Sequence, residues 1–169
     1  NIFTEGAHDV NIFGRGEVHP DGRGAGVWVR RSKNVRIDGI VVSQLPIGQC
    51  DSVELTNVKS ISYYGWGDGM DVFSSSNVIL DGVFCRNSDD CAAVYASTQG
   101  FKGGSNNVLV KNATLWADVA HPINIGGHGD PNGMDTVQNV TFRNIDILDQ
   151  AEKQIDYQGC LAINPGDNT

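Results

Sequence analysis

The chain has 169 residues, 12 of them Lys or Arg and 20 Asp or Glu, for a net charge of −8. That length is one ordinary domain, and the acidic balance argues against nucleic acid and anionic membrane as partners, because phosphate binding needs clustered Lys and Arg. No apolar run reaches membrane-spanning length. Read as the middle of a longer protein, the chain is silent about any leader.

Six segments share one pattern along the chain. They are Asp9-Val10-Asn11-Ile12, Asn34-Val35-Arg36-Ile37, Ser52-Val53-Glu54-Leu55, Asn77-Val78-Ile79-Leu80, Asn107-Val108-Leu109-Val110 and Asn139-Val140-Thr141-Phe142. In each, a small polar residue precedes a Val, and a second apolar side chain follows two residues on. The intervals between successive valines vary but stay close to the roughly 20–45 residues of a solenoid repeat. Period-two alternation of this kind predicts strands. After each strand comes Asn-Val, Asp-Gly or Asn-Ala and another short apolar stretch, such as Asp81-Gly82-Val83-Phe84-Cys85, and no helical period is sustained. Repeats of this size predict an all-β fold, a right-handed parallel β-helix. An antiparallel sandwich also has short strands, but the recurring Asn-Val register and the lack of two-residue hairpin loops favour the solenoid. The chain starts inside a repeat and runs out through Ala162-Ile163-Asn164-Pro165-Gly166-Asp167 without a closing helix. Solenoid ends need polar caps, so residues 1–169 are expected to be the six or seven central coils of a single longer domain.

Cys50, Cys85, Cys91 and Cys160 show no CxxC spacing, so a zinc site is not expected. Stacked core positions are the expectation for Cys50, Cys85 and Cys91. Asn112-Ala113-Thr114 and Asn139-Val140-Thr141 fit the glycosylation triplet, but both fall in Asn-rich repeats where it arises by chance.

The chemistry is expected where two acidic segments lie one repeat apart, Asp68-Gly69-Met70-Asp71 and Asn87-Ser88-Asp89-Asp90. The repeat is counted from Asp68 to Asp89, with Asp90 one position further. On neighbouring coils, about 4.8 Å apart, Asp68, Asp89 and Asp90 would share one patch. Like charges that close push a carboxyl's pKa up, which sets a general acid beside a general base. Asp89 and Asp90 are neighbours and cannot face one way in a regular strand. They are therefore placed where a turn meets the strand starting at Cys91. Single aspartates commonly close turns, but crowding three of them has no such structural benefit.

These residues resemble the polygalacturonase-type glycoside hydrolases (family 28) and their β-helical dextranase and isopullulanase relatives. The run Gly67-Asp68-Gly69-Met70-Asp71 is similar to the family's Asn-Thr-Asp-Gly segment, and Ser88-Asp89-Asp90-Cys91 to its Asp-Asp segment. Ala120-His121-Pro122-Ile123-Asn124-Ile125-Gly126 resembles its Gly-His-Gly segment better than the literal Gly127-His128-Gly129 does. The likeness is sharp from 66 to 126 and weak over about 25 to 165. It implies inverting hydrolysis of a polysaccharide or oligosaccharide by the four catalytic candidates. Asp89 would be the general acid, Asp68 and Asp90 would activate water, and His121 would tune the acid. Inverting acid and base sit roughly 6.5–9.5 Å apart, which one to two strand spacings supply.

Candidate sugar contacts are Trp66, Asp71, Tyr95 and His128, with Trp66 the stacking platform; Trp116 is expected to pack between coils. The family's uronate-gripping Arg-Ile-Lys segment corresponds to Tyr157-Gln158-Gly159-Cys160-Leu161-Ala162-Ile163-Asn164, which has neither Arg nor Lys. A neutral glycan is therefore expected rather than polygalacturonate. Between Asp90 and His121, the Gly-rich stretch from Ser97 to Ser105 is expected to wall or lid the cleft. No cofactor or metal is expected, and the protein is expected to be monomeric and secreted, periplasmic or on the cell surface. A Ca-dependent lyase on the same fold needs a basic residue beside the aspartates, and the nearest, Arg86, falls in the preceding strand. A non-catalytic glycan-binding β-helix would leave the register of the three aspartates without purpose.

Overall fold

The computed structural model describes residues 1–152 and 159–165. Every element in them is a strand or a turn. The first coil contributes β1 (Ile2–Glu5), β2 (His8–Phe13) and β3 (Glu17–Val18). The second contributes β4 (Val27–Arg30), β5 (Lys33–Asp38) and β6 (Val41–Val42), and the third β7 (Ile47–Gly48), β8 (Asp51–Thr56) and β9 (Lys59–Ile61). The fourth holds β10 (Val72–Phe73), β11 (Ser76–Asp81) and β12 (Phe84–Asn87). Next come β13 (Ala92–Tyr95) with the long β14 (Ser105–Val119), then β15 (Ile123–Gly126) with β16 (Val137–Glu152), and finally β17 (Leu161–Asn164).

Strands stack on their counterparts one coil away. One sheet runs β1-β4-β7-β10-β13-β15-β17. The other runs β2-β5-β8-β11-β14-β12-β9-β6-β3, with β16 beside β14. Every described pairing is parallel, as between Val72 and Val94 or Val94 and Ile125. This is a parallel β-helix, and an antiparallel sandwich is ruled out.

The valine pattern is the register itself. Val10, Val35, Val53, Val78, Val108 and Val140 pair in one unbroken column. The four middle ones are fully buried, while Val10 and Val140 pack against the same core. The polar residue ahead of each Val marks a corner. Asp9, Asn34, Ser52, Asn77, Asn107 and Asn139 all have φ between 55° and 60°, the left-handed conformation that Asn and Asp tolerate best. Asn57, Asn112 and Asn144 make a second corner of the same kind, at φ 54°, 52° and 56°. Their side chains bridge coils: Asn77 donates to Asp51 at 2.7 Å and accepts from Asn107 at 2.7 Å. Asn112 donates to Asp81 at 2.8 Å and accepts from Asn144 at 2.8 Å. The Asn side chains of both glycosylation triplets are thus engaged in the corners.

A third corner, at Arg31, Gln49 and Ser74, leads into a buried polar column of Ser32, Cys50, Ser75 and Ser105. There the Ser32 amide donates to Cys50 Sγ, the Cys50 amide to Ser75 Oγ at 2.9 Å, and the Ser75 amide to Ser105 Oγ at 3.2 Å. Cys50, Cys85 and Cys91 are buried, as expected, and Cys160 is exposed; the three buried thiols are free.

Asn77→Gly keeps the corner backbone and loses two exposed hydrogen bonds, so it should cost about 1 kcal/mol in urea unfolding. Asn77→Val loses the same bonds and forces a branched side chain into the left-handed region, which should add about 1–2 kcal/mol. Val78→Asp buries an unpaired charge in the column and should abolish the cooperative unfolding transition followed by circular dichroism.

Candidate active site

The acidic segments lie where turns feed the strands of the first sheet, just ahead of β10 and β13. Carrying the pairing of Val72, Val94 and Ile125 back along the chain sets Asp68, Asp90 and His121 in one column. Main-chain bonds fix that column: the Gly69 amide donates to the Asp90 carbonyl at 2.7 Å, and the Cys91 amide to the His121 carbonyl at 3.0 Å. The coil repeat here therefore runs from Asp68 to Asp90, so that Asp90 rather than Asp89 is the direct partner of Asp68. Asp89 sits one position to the side, in the turn. A Cβ on Gly69 would lie 2.3 Å from the Cys91 carbonyl and 2.6 Å from Cys85 Sγ, so only glycine allows this approach.

Asn87, missed in the sequence, anchors the Asp68 loop. Fully buried, its amide donates to the carbonyls of Ser43 at 3.0 Å, Gly67 at 3.2 Å and Asp68 at 2.7 Å. Its only signal is a polar residue at the end of an inward-facing strand.

One oxygen each from Asp68, Asp89 and Asp90 lies within 4.8 Å of the others. That is a single strand spacing, shorter than the roughly 6.5–9.5 Å expected for an inverting acid and base. The three are not equivalent. Asp90 is 4% exposed, and both its oxygens are taken. Oδ1 accepts from the His121 amide at 2.8 Å and lies 3.2 Å from His121 Nδ1; Oδ2 accepts from Tyr95 Oη and Asn124 Nδ2, each at 2.7 Å. Burial alone would raise its pKa, but this set of donors outweighs it and holds the carboxyl below its usual range, as an anion. Asp68 goes the other way: burial, then the charges of Asp89 and Asp90, push it up to about 7. Burial first and Asp90 second also raise Asp89. A carboxylate trio with one fixed anion thus keeps a proton on one of the other two, which titrate as a unit.

His121 is buried against Asp90. It is the Asp90 clamp, where the sequence had it tuning Asp89. Two expected sugar contacts are also employed internally. The Tyr95 ring stacks on Phe73, with centroids 5.9 Å apart, and its hydroxyl is spent on Asp90. Asp71 is 2% exposed. Trp66, by contrast, is 77% exposed at the rim beside Asp68. His128 packs edge-on against Tyr95 at 4.9 Å and faces the same cleft. Asn124 went unmarked in the sequence, although it lies three residues after His121 on β15.

The cleft over the aspartates has a volume of about 300 Å³, and a smaller hollow of about 140 Å³ between Trp66 and Trp28 continues it. A larger hollow of about 610 Å³ on the other sheet is lined by corner residues such as Asn34 and Asn77 and gathers no comparable cluster. Neither part of the cleft has Lys or Arg among its described lining residues. Leu161–Asn164 pairs with β15 as the family comparison expected and brings no cation; Tyr157 and Gln158 lie outside the described residues. Arg86 is occupied elsewhere, 4.2 Å from the Trp116 ring centre and 3.5 Å from Asp118. The 97–104 loop walls the cleft through Thr98 and Gln99 and is docked by Phe101. Phe101 is 3% exposed and lies over Gly48, where a Cβ would come within 2.4 Å of its ring.

Residues 21–153 match the family model for glycosyl hydrolases family 28. The chain belongs to that family. It is 26% identical over 177 residues to an exopolygalacturonase of Cochliobolus carbonum, covering 89% of this chain and 38% of that one. It is 30% identical over 126 residues to exopolygalacturonase X of Aspergillus niger, covering 74% and 24%. A probable endo-xylogalacturonan hydrolase A of Aspergillus fumigatus is 34% identical over 85 residues, covering 50% and 18%. The chain thus spans well under half the length of these curated relatives. No solved structure matches it significantly.

Because the folded state raises the pKa of Asp68, stability should fall as pH climbs from about 4, where the unfolded carboxyl ionises, to about 7. Asp68→Asn should match the parent at pH 4 and exceed it at pH 8, by on the order of 4 kcal/mol at most. Asp90, with its lowered pKa, contributes the opposite way: its stabilisation is full above about pH 4 and lost below. Urea melts of parent and variant at pH 4 and pH 8 check the first sign, and melts of the parent at pH 4 and below check the second.

Proposed function

We propose that residues 1–169 are the central, catalytic coils of a single β-helix glycoside hydrolase domain that cleaves a galacturonate-containing polysaccharide by acid–base hydrolysis with inversion. The observation that carries this is the trio Asp68, Asp89 and Asp90, one oxygen of each within 4.8 Å of the others, opening on a cleft in a family 28 chain. Relatives named for polygalacturonate and xylogalacturonan support the substrate class. The expectation of a neutral glycan rested on a missing cation and finds no support in them.

With the shared proton on Asp89, the residue at the turn, Asp68 and Asp90 are anions. Asp89 then protonates the departing glycosidic oxygen while Asp68, beside the fixed anion Asp90, takes a proton from the attacking water. The water's oxygen bonds to the anomeric carbon from the opposite face as the glycosidic bond breaks. Trp66 offers a face for the sugar's C–H bonds, and His128 lines the far wall. A polysaccharide is met outside the cytoplasm, and one chain supplies every group named, which supports a monomer that is secreted, periplasmic or on the cell surface. No helix among the described residues is long and apolar enough to cross a membrane. The short carboxylate spacing favours a second reading, a retaining double displacement, for which about 5–5.5 Å is typical.

Reducing-sugar release by the full-length protein should be robust on polygalacturonate or xylogalacturonan and weak on dextran and pullulan; the reverse order would overturn the substrate assignment. Proton NMR early in the reaction should show the inverted anomer. Asp89→Asn should lose roughly 10²–10⁴-fold on the polysaccharide and be partly spared on an activated aryl glycoside. Asp68→Asn and Asp90→Asn should lose activity on both. A retained anomer, or near-normal turnover by Asp89→Asn, would break the assignment of roles.

A further inference from the structure

Behind Asp68 lies a carboxyl group that the mechanism above does not use. Asp71, three residues on in the same loop, is 2% exposed, and its Oδ1 is buried with no hydrogen-bond partner. An ionised carboxylate in that position would be an anion out of water with one oxygen unsatisfied, a strongly disfavoured state. Among the described residues, the groups that weigh most on Asp71 do not offset this. The titratable groups that act on Asp71, or feel it, are Asp68, Asp89, Asp90, Cys85 and Tyr95. All of them are anionic or neutral. Asp71 and Asp68 line the same small hollow between Trp66 and Trp28, and their side chains are within hydrogen-bonding reach of each other. Two carboxyl groups can hydrogen-bond to each other only if one carries the proton, and the more buried one keeps it.

We propose that Asp71 is a positioning residue: a carboxylic acid that stays protonated and donates its hydrogen bond to Asp68, aiming that carboxylate at the water. This rests on the reading of Asp68 as a water-activating group. It departs from the sequence expectation that Asp71 touches the sugar. Physically, a neutral donor is what the site requires there. A Lys or Arg would pin Asp68 as a permanent, weakly basic anion, and an apolar residue would leave it free to rotate. A protonated acid orients it and adds no net charge to a patch already crowded with three carboxyls. Burial and the charge of Asp68 together raise the Asp71 pKa well above the ordinary carboxyl value, which agrees with the geometry. The bond to Asp71 also acts against the upward push on Asp68.

Three variants of the full-length enzyme test this. Asp71→Asn keeps a neutral N–H donor of the same shape and should retain kcat within about fivefold, with KM and the acid limb of the kcat/KM profile in place. Asp71→Ala removes the donor: kcat should fall by about 10²-fold with little change in KM, and the acid limb should move to higher pH as Asp68 loses a bond that favours its ionised form. Asp71→Leu should behave like Asp71→Ala. A loss in Asp71→Asn as deep as in Asp71→Ala would show that Asp71 works as an anion and overturn the proposal. A rise in KM without a fall in kcat would show a sugar contact and do the same. One readout needs no activity at all, so it separates this proposal from the functional reading. In protein labelled with 13C at the Asp carboxyl groups, one resonance should keep the chemical shift of a protonated acid at pH 7.5 and vanish in Asp71→Asn. Its absence from the folded parent sinks the proposal even if no variant folds.

Discussion

Every functional distance in this molecule derives from coils stacked in register at about 4.8 Å. The corners enforce that register. A residue in the left-handed conformation ahead of each column valine makes the chain turn at the same place in every coil, and Asn side chains tie many of the corners to the neighbouring coil. Coil length can then vary without disturbing the column. The interval from Val108 to Val140 is far longer than that from Val35 to Val53, yet both pairs stand in one unbroken column, because the extra residues leave through loops.

The same stacking crowds like charges, and the site is organised around that cost. Asp90 is stabilised as an anion by contacts from Tyr95 on β13, from the amide and ring of His121 just ahead of β15, and from Asn124 on β15. Once one charge is fixed, its neighbours are driven to hold protons, and the difference between acid and base arises from position alone. Asn87 and Gly69 do the complementary mechanical work. One grips the main chain of the Asp68 loop, and the other lets it approach the next coil. None of these supporting residues needs to touch substrate, and all lie on regular strands or directly beside them.

Much of this was legible in the sequence, for physical reasons. A parallel solenoid repeats its backbone, so the small polar residue before Val appears six times and reveals both corner and core. The aspartates and His121 were legible because one repeat places them on adjacent coils. What failed was finer than a repeat. Counting along the chain matched Asp68 with Asp89, but the strands beyond pair Val72 with Val94, which matches Asp68 with Asp90. An error of a single position exchanges a direct partner for a flanking one. Tyr95 was legible as a residue of the site, yet which way its hydroxyl would be spent depends on Asp90 being buried beneath it. Asn124 and Asn87 lay hidden because a single Asn in an Asn-rich repeat carries no contrast. The neutral-glycan expectation misjudged a different matter, taking the loss of one cationic segment as a statement about the whole substrate.

The docking of Phe101 has a consequence for how the molecule holds together. In a solenoid each repeat normally contacts only its neighbours, so stability adds up link by link and ends can fray independently. Phe101 leaves the fifth coil and packs over Gly48 of the third, beside Trp28 of the second, with the Arg31 guanidinium 4.9 Å from its ring centre. The fourth coil, which carries Asp68, is bridged from above and below by one side chain. A rivet of that reach turns several separable links into one cooperative block, so the coils it spans are held to exchange their amide hydrogens together, and later than coils outside the block.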